Sequence, residues 1–225
     1  MKSILIIESE FSGHYLTGYI KYVLRSLKNK KIKIILLVSD LSLKKGKGAI
    51  KILKDEKVNF EIKIFPYLEV VNSSKFSLIK YQFLYYYKIK KEFKNLHNIY
   101  NFDHVFLSSI QRFDKVLAIL GSPFKNINFS GVILGLKFHL KTYNFNYSET
   151  NSFLSKFLFF KLLKLKSLKF LITNDFLFKK YINFQNNNLS KKLIFLHDPK
   201  EFRFKYKKNE ARKFLNLNKK TFIIL

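Results

Sequence analysis

Ile4-Leu5-Ile6-Ile7-Glu8 is an unbroken apolar run closed by a carboxylate, and Ile32-Lys33-Ile34-Ile35-Leu36-Leu37-Val38-Ser39 repeats the pattern after a helical stretch. Strands that cover one face of a sheet alternate polar and apolar residues. Runs this continuous belong to parallel strands buried on both faces. Between the two, Tyr15 to Leu27 has helical spacing, with Ile20, Val23, Leu24 and Leu27 on one side. A strand, a helix and a second strand of this kind begin a doubly wound sheet.

The alternation continues along the chain. Lys47 to Lys54 reads as a short helix. Val58 to Phe65 alternates, with Val58, Phe60, Ile62 and Ile64 to one side, and Pro66 ends it. Phe76 to Leu96 is a long helix, and His104 to Ser108 a strand. Asp114 to Leu120 is a helix stopped by Gly121-Ser122-Pro123. Phe129 to Leu134 is a strand, Ser152 to Lys166 a helix and Phe170 to Thr173 a strand. Asp175 stands where it caps a helix over Phe176 to Ile182. Leu193 to Leu196 is a strand, Glu210 to Leu215 a helix and Thr221 to Leu225 a last strand. The expected fold is α/β: a Rossmann-like, mostly parallel sheet with helices on both faces. Residues 1–199 form the expected first domain, and the polar stretch 200–209 reads as a linker. Residues 210–225 are expected to open a further, truncated domain, because an apolar strand left with an open edge invites pairing.

Of the 225 residues, 48% are hydrophobic, enough for a core, and the absence of Cys removes disulfides and thiolate metal sites. The formal net charge is +28. Lys, Asn, Ile, Phe and Tyr are abundant and Trp is absent, the pattern of AT-rich codons, so Lys fills solvent-facing positions by coding bias. The same charge suits an anionic membrane surface or a nucleic acid. The apolar run at the start is too short for a signal peptide and lacks a small-residue cleavage site. Phe153 to Ile172 is interrupted by Lys156, Lys161, Lys164, Lys166 and Lys169, against a membrane span. The expected location is cytoplasmic, with peripheral contact at the inner face of the plasma membrane.

Three segments carry candidate chemistry. Glu8-Ser9-Glu10-Phe11-Ser12-Gly13-His14 follows the first strand, and open α/β sheets bind ligands outside the carboxyl ends of their strands. Gly13 permits close backbone approach, and free amides at a helix start favour a hydroxyl or an anion. Neither a G-x-G-x-x-G fingerprint nor a Walker loop is present. The bland alternative is that Gly13 makes the turn and His14 caps the helix. His139, after the strand Phe129 to Leu134, has the chemistry of a general base or of a group that steadies an anionic leaving group, against the alternative of an ordinary loop histidine. Asp114 and Glu149 are weaker candidates that fit capping or solvation of helices. In the long helix, Leu78, Tyr85, Ile89 and Phe93 share one side, and Lys80, Tyr87, Lys91 and Lys94 the other. Lysines beside exposed aromatics suit a membrane interface, and equally an amphipathic helix with solvated lysines.

Ile4 to Glu8, then Ser12-Gly13-His14, then Tyr19 to Leu27 resemble the opening of GT-B glycosyltransferases of the family 4 kind. Asn209-Glu210-Ala211-Arg212-Lys213-Phe214-Leu215-Asn216-Leu217 followed by Thr221 to Leu225 resembles the E-A-R-x-x-L-G-L helix and strand that open the second domain of that family. Asn216 replaces the usual Gly, and both residues accept a left-handed helix end. Leu196-His197-Asp198-Pro199 stands in place of the proline-containing segment after the last strand of the first domain. The resemblance implies an acceptor-side N-terminal domain in which Ser12, Gly13 and His14 bind the acceptor and His139 is catalytic. It implies metal-independent transfer of a sugar from a nucleotide-sugar to an acceptor hydroxyl in cell-envelope or polysaccharide biosynthesis. The donor would bind the domain that begins near residue 210, so this stretch alone would hold no cofactor and be inactive. The partners implied are a glycan or lipid-linked acceptor and an anionic membrane met by Lys80, Lys91 and Lys94. The rival readings are a basic nucleic-acid-binding module, which Lys, Tyr and Phe permit without a recognised motif, and an inactive truncated product.

Overall fold

The computed structural model describes residues 1–8, 16–68, 75–134, 136–143 and 152–197. Among these residues seven strands form one sheet in the order β3-β2-β1-β4-β5-β6-β7. They are β1 (Lys2–Glu8), β2 (Ile32–Ser39), β3 (Glu61–Phe65), β4 (His104–Leu107), β5 (Asn128–Val132), β6 (Leu168–Thr173) and β7 (Leu193–Phe195). Every neighbouring pair is parallel. The fold is thus the expected Rossmann-like α/β architecture.

The helices are α1 (Lys21–Leu27, entered through a π-helical turn at Leu16–Ile20), α2 (Asp40–Lys45), α3 (Lys47–Lys54), α4 (Lys75–Tyr100), α5 (Asp114–Leu120), α6 (Ser152–Leu163), α7 (Phe176–Gln185) and α8 (Asn187–Ser190). A 3-10 turn covers Leu140–Tyr143. The continuous apolar strands are explained by two cores. Leu5, Ile7, Ile35 and Leu37 face the side covered by α4, α5, α6 and α7. Ile6, Ile34, Leu36 and Val38 face the side covered by Tyr19, Ile20 and Leu24 and by α3. Because successive strand residues point to opposite faces, each neighbour must be apolar.

Several boundaries differ from the sequence expectation. β3 is confined to Glu61–Phe65, and Ile64 is exposed, because β3 is an edge strand with a partner on one side only. Leu78 is exposed too, since the contact of α4 with the core begins at Tyr81. α4 runs on to Tyr100 and stops where Asn101 turns left-handed at φ 48°. α2 was not anticipated: Ser39 accepts the Ser42 amide at 3.0 Å and so starts a helix straight off β2. Among the described residues no helix is long and apolar enough to cross a membrane. The linker 200–209 and the segment 210–225 lie outside the described residues.

Candidate functional site

The order of the strands places the site. β1 leads outward to β2 and β3, whereas β4 to β7 extend the other way, so the direction of winding reverses between β1 and β4. Ligands of open α/β sheets bind at such a reversal, outside the carboxyl ends of the strands. Glu8 is buried at that end of β1. Ser108 and Ser109 follow β4 directly, and among the described residues their buried hydroxyls have no hydrogen-bond partner. Two serines immediately after an apolar strand are the sequence signal for this pair, which the motif reading missed.

β5 and β6 are neighbours, so residues just past their ends meet. His139 follows β5 and Asp175 follows β6. His139 Nε2 lies 3.0 Å from Asp175 Oδ2. Among the described residues neither ring nitrogen makes a well-aligned hydrogen bond. The imidazole is 1% exposed, whereas the Asp175 side chain is 35% exposed. Phe178 packs on the imidazole at 5.2 Å between ring centroids, and Tyr181 at 6.3 Å. Burial among these rings pushes the His139 pKa below its usual value, against the Asp175 carboxylate and the Leu136 carbonyl, which favour the charged ring. Burial thus favours the neutral ring. The sequence identified Asp175 as a helix cap alone, and it is that as well: Oδ1 accepts the Phe178 amide at 2.9 Å.

Asp114 opens α5, one loop beyond Ser108 and Ser109. Burial raises its carboxyl pKa to about 6, partly offset by the Lys115 amide. Lys80, Lys91 and Lys94 are exposed on α4, an element separate from the His139 and Asp175 loops. Ser12, Gly13, His14 and Glu149 lie outside the described residues.

No protein-family model matches the chain, and no curated protein matches it in sequence. Solved structures do match, and those with the better superpositions are GT-B glycosyltransferases. UGT89C1 of Arabidopsis thaliana complexed with quercetin has a TM-score of 0.54 at 12% identity, over 95% of this chain and 54% of its own. UGT2 of Phytolacca americana complexed with UDP-2fluoro-glucose and pterostilbene has a TM-score of 0.55 at 10% identity, over 96% of this chain and 57% of its own. The likeness is one of fold. The chain spans just over half the length of each of these glycosyltransferases.

Proposed function

We propose that this chain is the acceptor-side half of a sugar-transferring enzyme and that His139 and Asp175 handle the acceptor's proton. The observation that carries the reading is their 3.0 Å contact at the carboxyl edge of the sheet. A hydroxyl attacking a sugar must lose its proton, and a positioned base lowers that barrier. His139 was the expected base. Its burial leaves Asp175 as the member that reaches solvent, so the hydroxyl donates to Asp175 while neutral His139 steadies the carboxylate from behind. Ser12, Gly13 and His14 belong to the proposed acceptor site through their place after β1.

The donor in this reading is a nucleotide-sugar held by a second domain that begins near residue 210. Of the two glycosyltransferases above, one is complexed with quercetin and the other with UDP-2fluoro-glucose and pterostilbene, and both extend well beyond this chain's span, which supports the reading. A lipid-linked or glycan acceptor of envelope or polysaccharide assembly fits the +28 charge, with the lysines of α4 toward an anionic membrane. The test is to read the gene through position 225 and assay the whole product with nucleotide-sugars. A second Rossmann-like domain and release of the nucleoside diphosphate are expected. A downstream sequence without such a domain overturns the proposal.

A further inference from the structure

β3 has β2 on one side, and among the described residues no strand lies on the other. An open sheet edge invites pairing, and proteins block it with lysine and proline. β3 has both residues, but they act differently. Pro66 directly follows the strand and, lacking an amide hydrogen, ends any pairing there. Lys63 stands inside the strand, and Glu61 precedes it by two residues on the same face, with Lys63 Nζ 2.6 Å from Glu61 Oε1. Tyr100 of α4 also donates to Glu61 Oε1, at 2.8 Å. Both charged side chains keep more than a third of their surface exposed. On the other face Phe60 and Ile62 are half-buried and Ile64 is 58% exposed.

We infer that two copies of this chain join edge to edge through β3, antiparallel about a two-fold axis at Ile62. The charges select both the occupant and the register. Residues directly opposite in an antiparallel pair point to the same face, so a symmetric register is centred on one residue. Centred on Glu61, the pairing sets Glu61 against Glu61; centred on Lys63, it sets Lys63 against Lys63. Like charges directly opposite destabilise a strand pair, and opposite charges stabilise it. Centred on Ile62, Glu61 of each copy meets Lys63 of the other, and Phe60 meets Ile64. The lysine that guards this edge against other strands therefore accepts a second copy, and the apolar stripe continues across the pair and covers Ile64. Each copy carries +28, but at physiological salt charges more than about 8 Å apart are screened, so the edge charges decide the contact. The two-fold closes on itself and gives a pair, not a fibre. Because the two β3 strands run in opposite directions, the carboxyl edges of the two sheets lie at opposite ends, and each copy keeps its own His139 and Asp175.

The chain contains no Cys, so a single introduced thiol reports the register. At the axis position 62 faces itself, with Cα atoms about 4.5–5.5 Å apart, a separation that a disulfide spans. Position 64 faces position 60 of the other copy, which leaves its two copies about 13 Å apart. Under mild oxidation Ile62→Cys is expected to give a disulfide-linked dimer and Ile64→Cys to stay unlinked, although position 64 is the more exposed. In sedimentation equilibrium the unaltered full chain is expected to dimerise as its concentration rises. Lys63→Glu is expected to weaken that association about tenfold or more, and the exchange Glu61→Lys/Lys63→Glu to restore it. Circular-dichroism melts check that each variant is folded, and a folding defect would not be repaired by the exchange. A chain that stays monomeric wherever it is soluble overturns the inference. So does faster linking at position 64 than at 62, and so does a folded charge exchange that fails to restore association. None of these outcomes bears on sugar transfer.

Discussion

Asp175 divides its carboxylate between two tasks: Oδ2 lies 3.0 Å from His139 Nε2, and Oδ1 accepts the Phe178 amide that starts α7. The two tasks separate by substitution. Asp175→Asn keeps a capping oxygen and removes the charge, so the His139 pKa, already below 6.5, is expected to fall further. Asp175→Ala also loses the cap, at about 0.5–2 kcal/mol of stability. Histidine NMR titrations read the first effect and thermal melts the second. On the proposed function, Asp175→Asn in the full-length protein is expected to cut turnover by about 10²–10⁴ with folding intact, the usual loss when a general base is removed.

The burial of His139 has a consequence for stability. Its folded pKa lies below the unfolded value of 6.5, so between the two the unfolded chain binds more protons. The contribution of neutral His139 is complete above 6.5 and is lost as pH falls toward the folded pKa. His139→Gln, which cannot take up a proton, is expected to flatten the fall of the melting temperature between about pH 7 and pH 5. An equal slope in both proteins would contradict the burial of this ring.

Much of this fold was legible because its strands are buried on both faces. Ile32–Ser39 and Lys47–Lys54 have the boundaries that their residues predict. The apolar pattern of α1 likewise corresponds to the buried Ile20 and Leu24. The site was less legible. His139 stood out as a chemical group, but its partner depends on which strands are neighbours, and Asp175 also satisfies a purely local role as a cap. Ser108 and Ser109 read as an ordinary strand end until the strand order places them at the winding reversal. The packing of α6 was hidden for another reason: apolar residues on all sides of a helix do not say that the core takes Leu158, Phe159, Leu162 and Leu163.

Asp114 works in the opposite sense to His139. Burial raises its pKa from 3.8 to about 6, so the folded state holds its proton more tightly than the unfolded chain. The stability gained from the neutral form is complete below 3.8 and is lost as pH rises through about 6. Asp114→Asn, neutral at every pH, is expected to be more stable than the unaltered chain at pH 8 by about 1–3 kcal/mol, with the difference closing toward pH 4. Denaturant titrations at the two pH values measure it. A constant difference would show that the amide acts through packing and not through the charge.

Gly131 connects sheet geometry to the site. A Cβ there would stand 2.7 Å from the Leu107 carbonyl oxygen and 2.8 Å from Ile110 Cδ1. The oxygen belongs to the strand paired with Gly131, so it cannot yield without parting β4 from β5. Gly131→Ala is expected to cost about 1–3 kcal/mol, the usual penalty of overpacking. Gly48, in α3, has open space where its Cβ would be, so Gly48→Ala is expected to stabilise by about 0.4–1 kcal/mol. The pair distinguishes a steric requirement from a general glycine effect. Since β5 carries the chain to His139, Gly131→Ala is also expected to displace the imidazole from Asp175 and alter its NMR titration, while Gly48→Ala leaves that titration where it was.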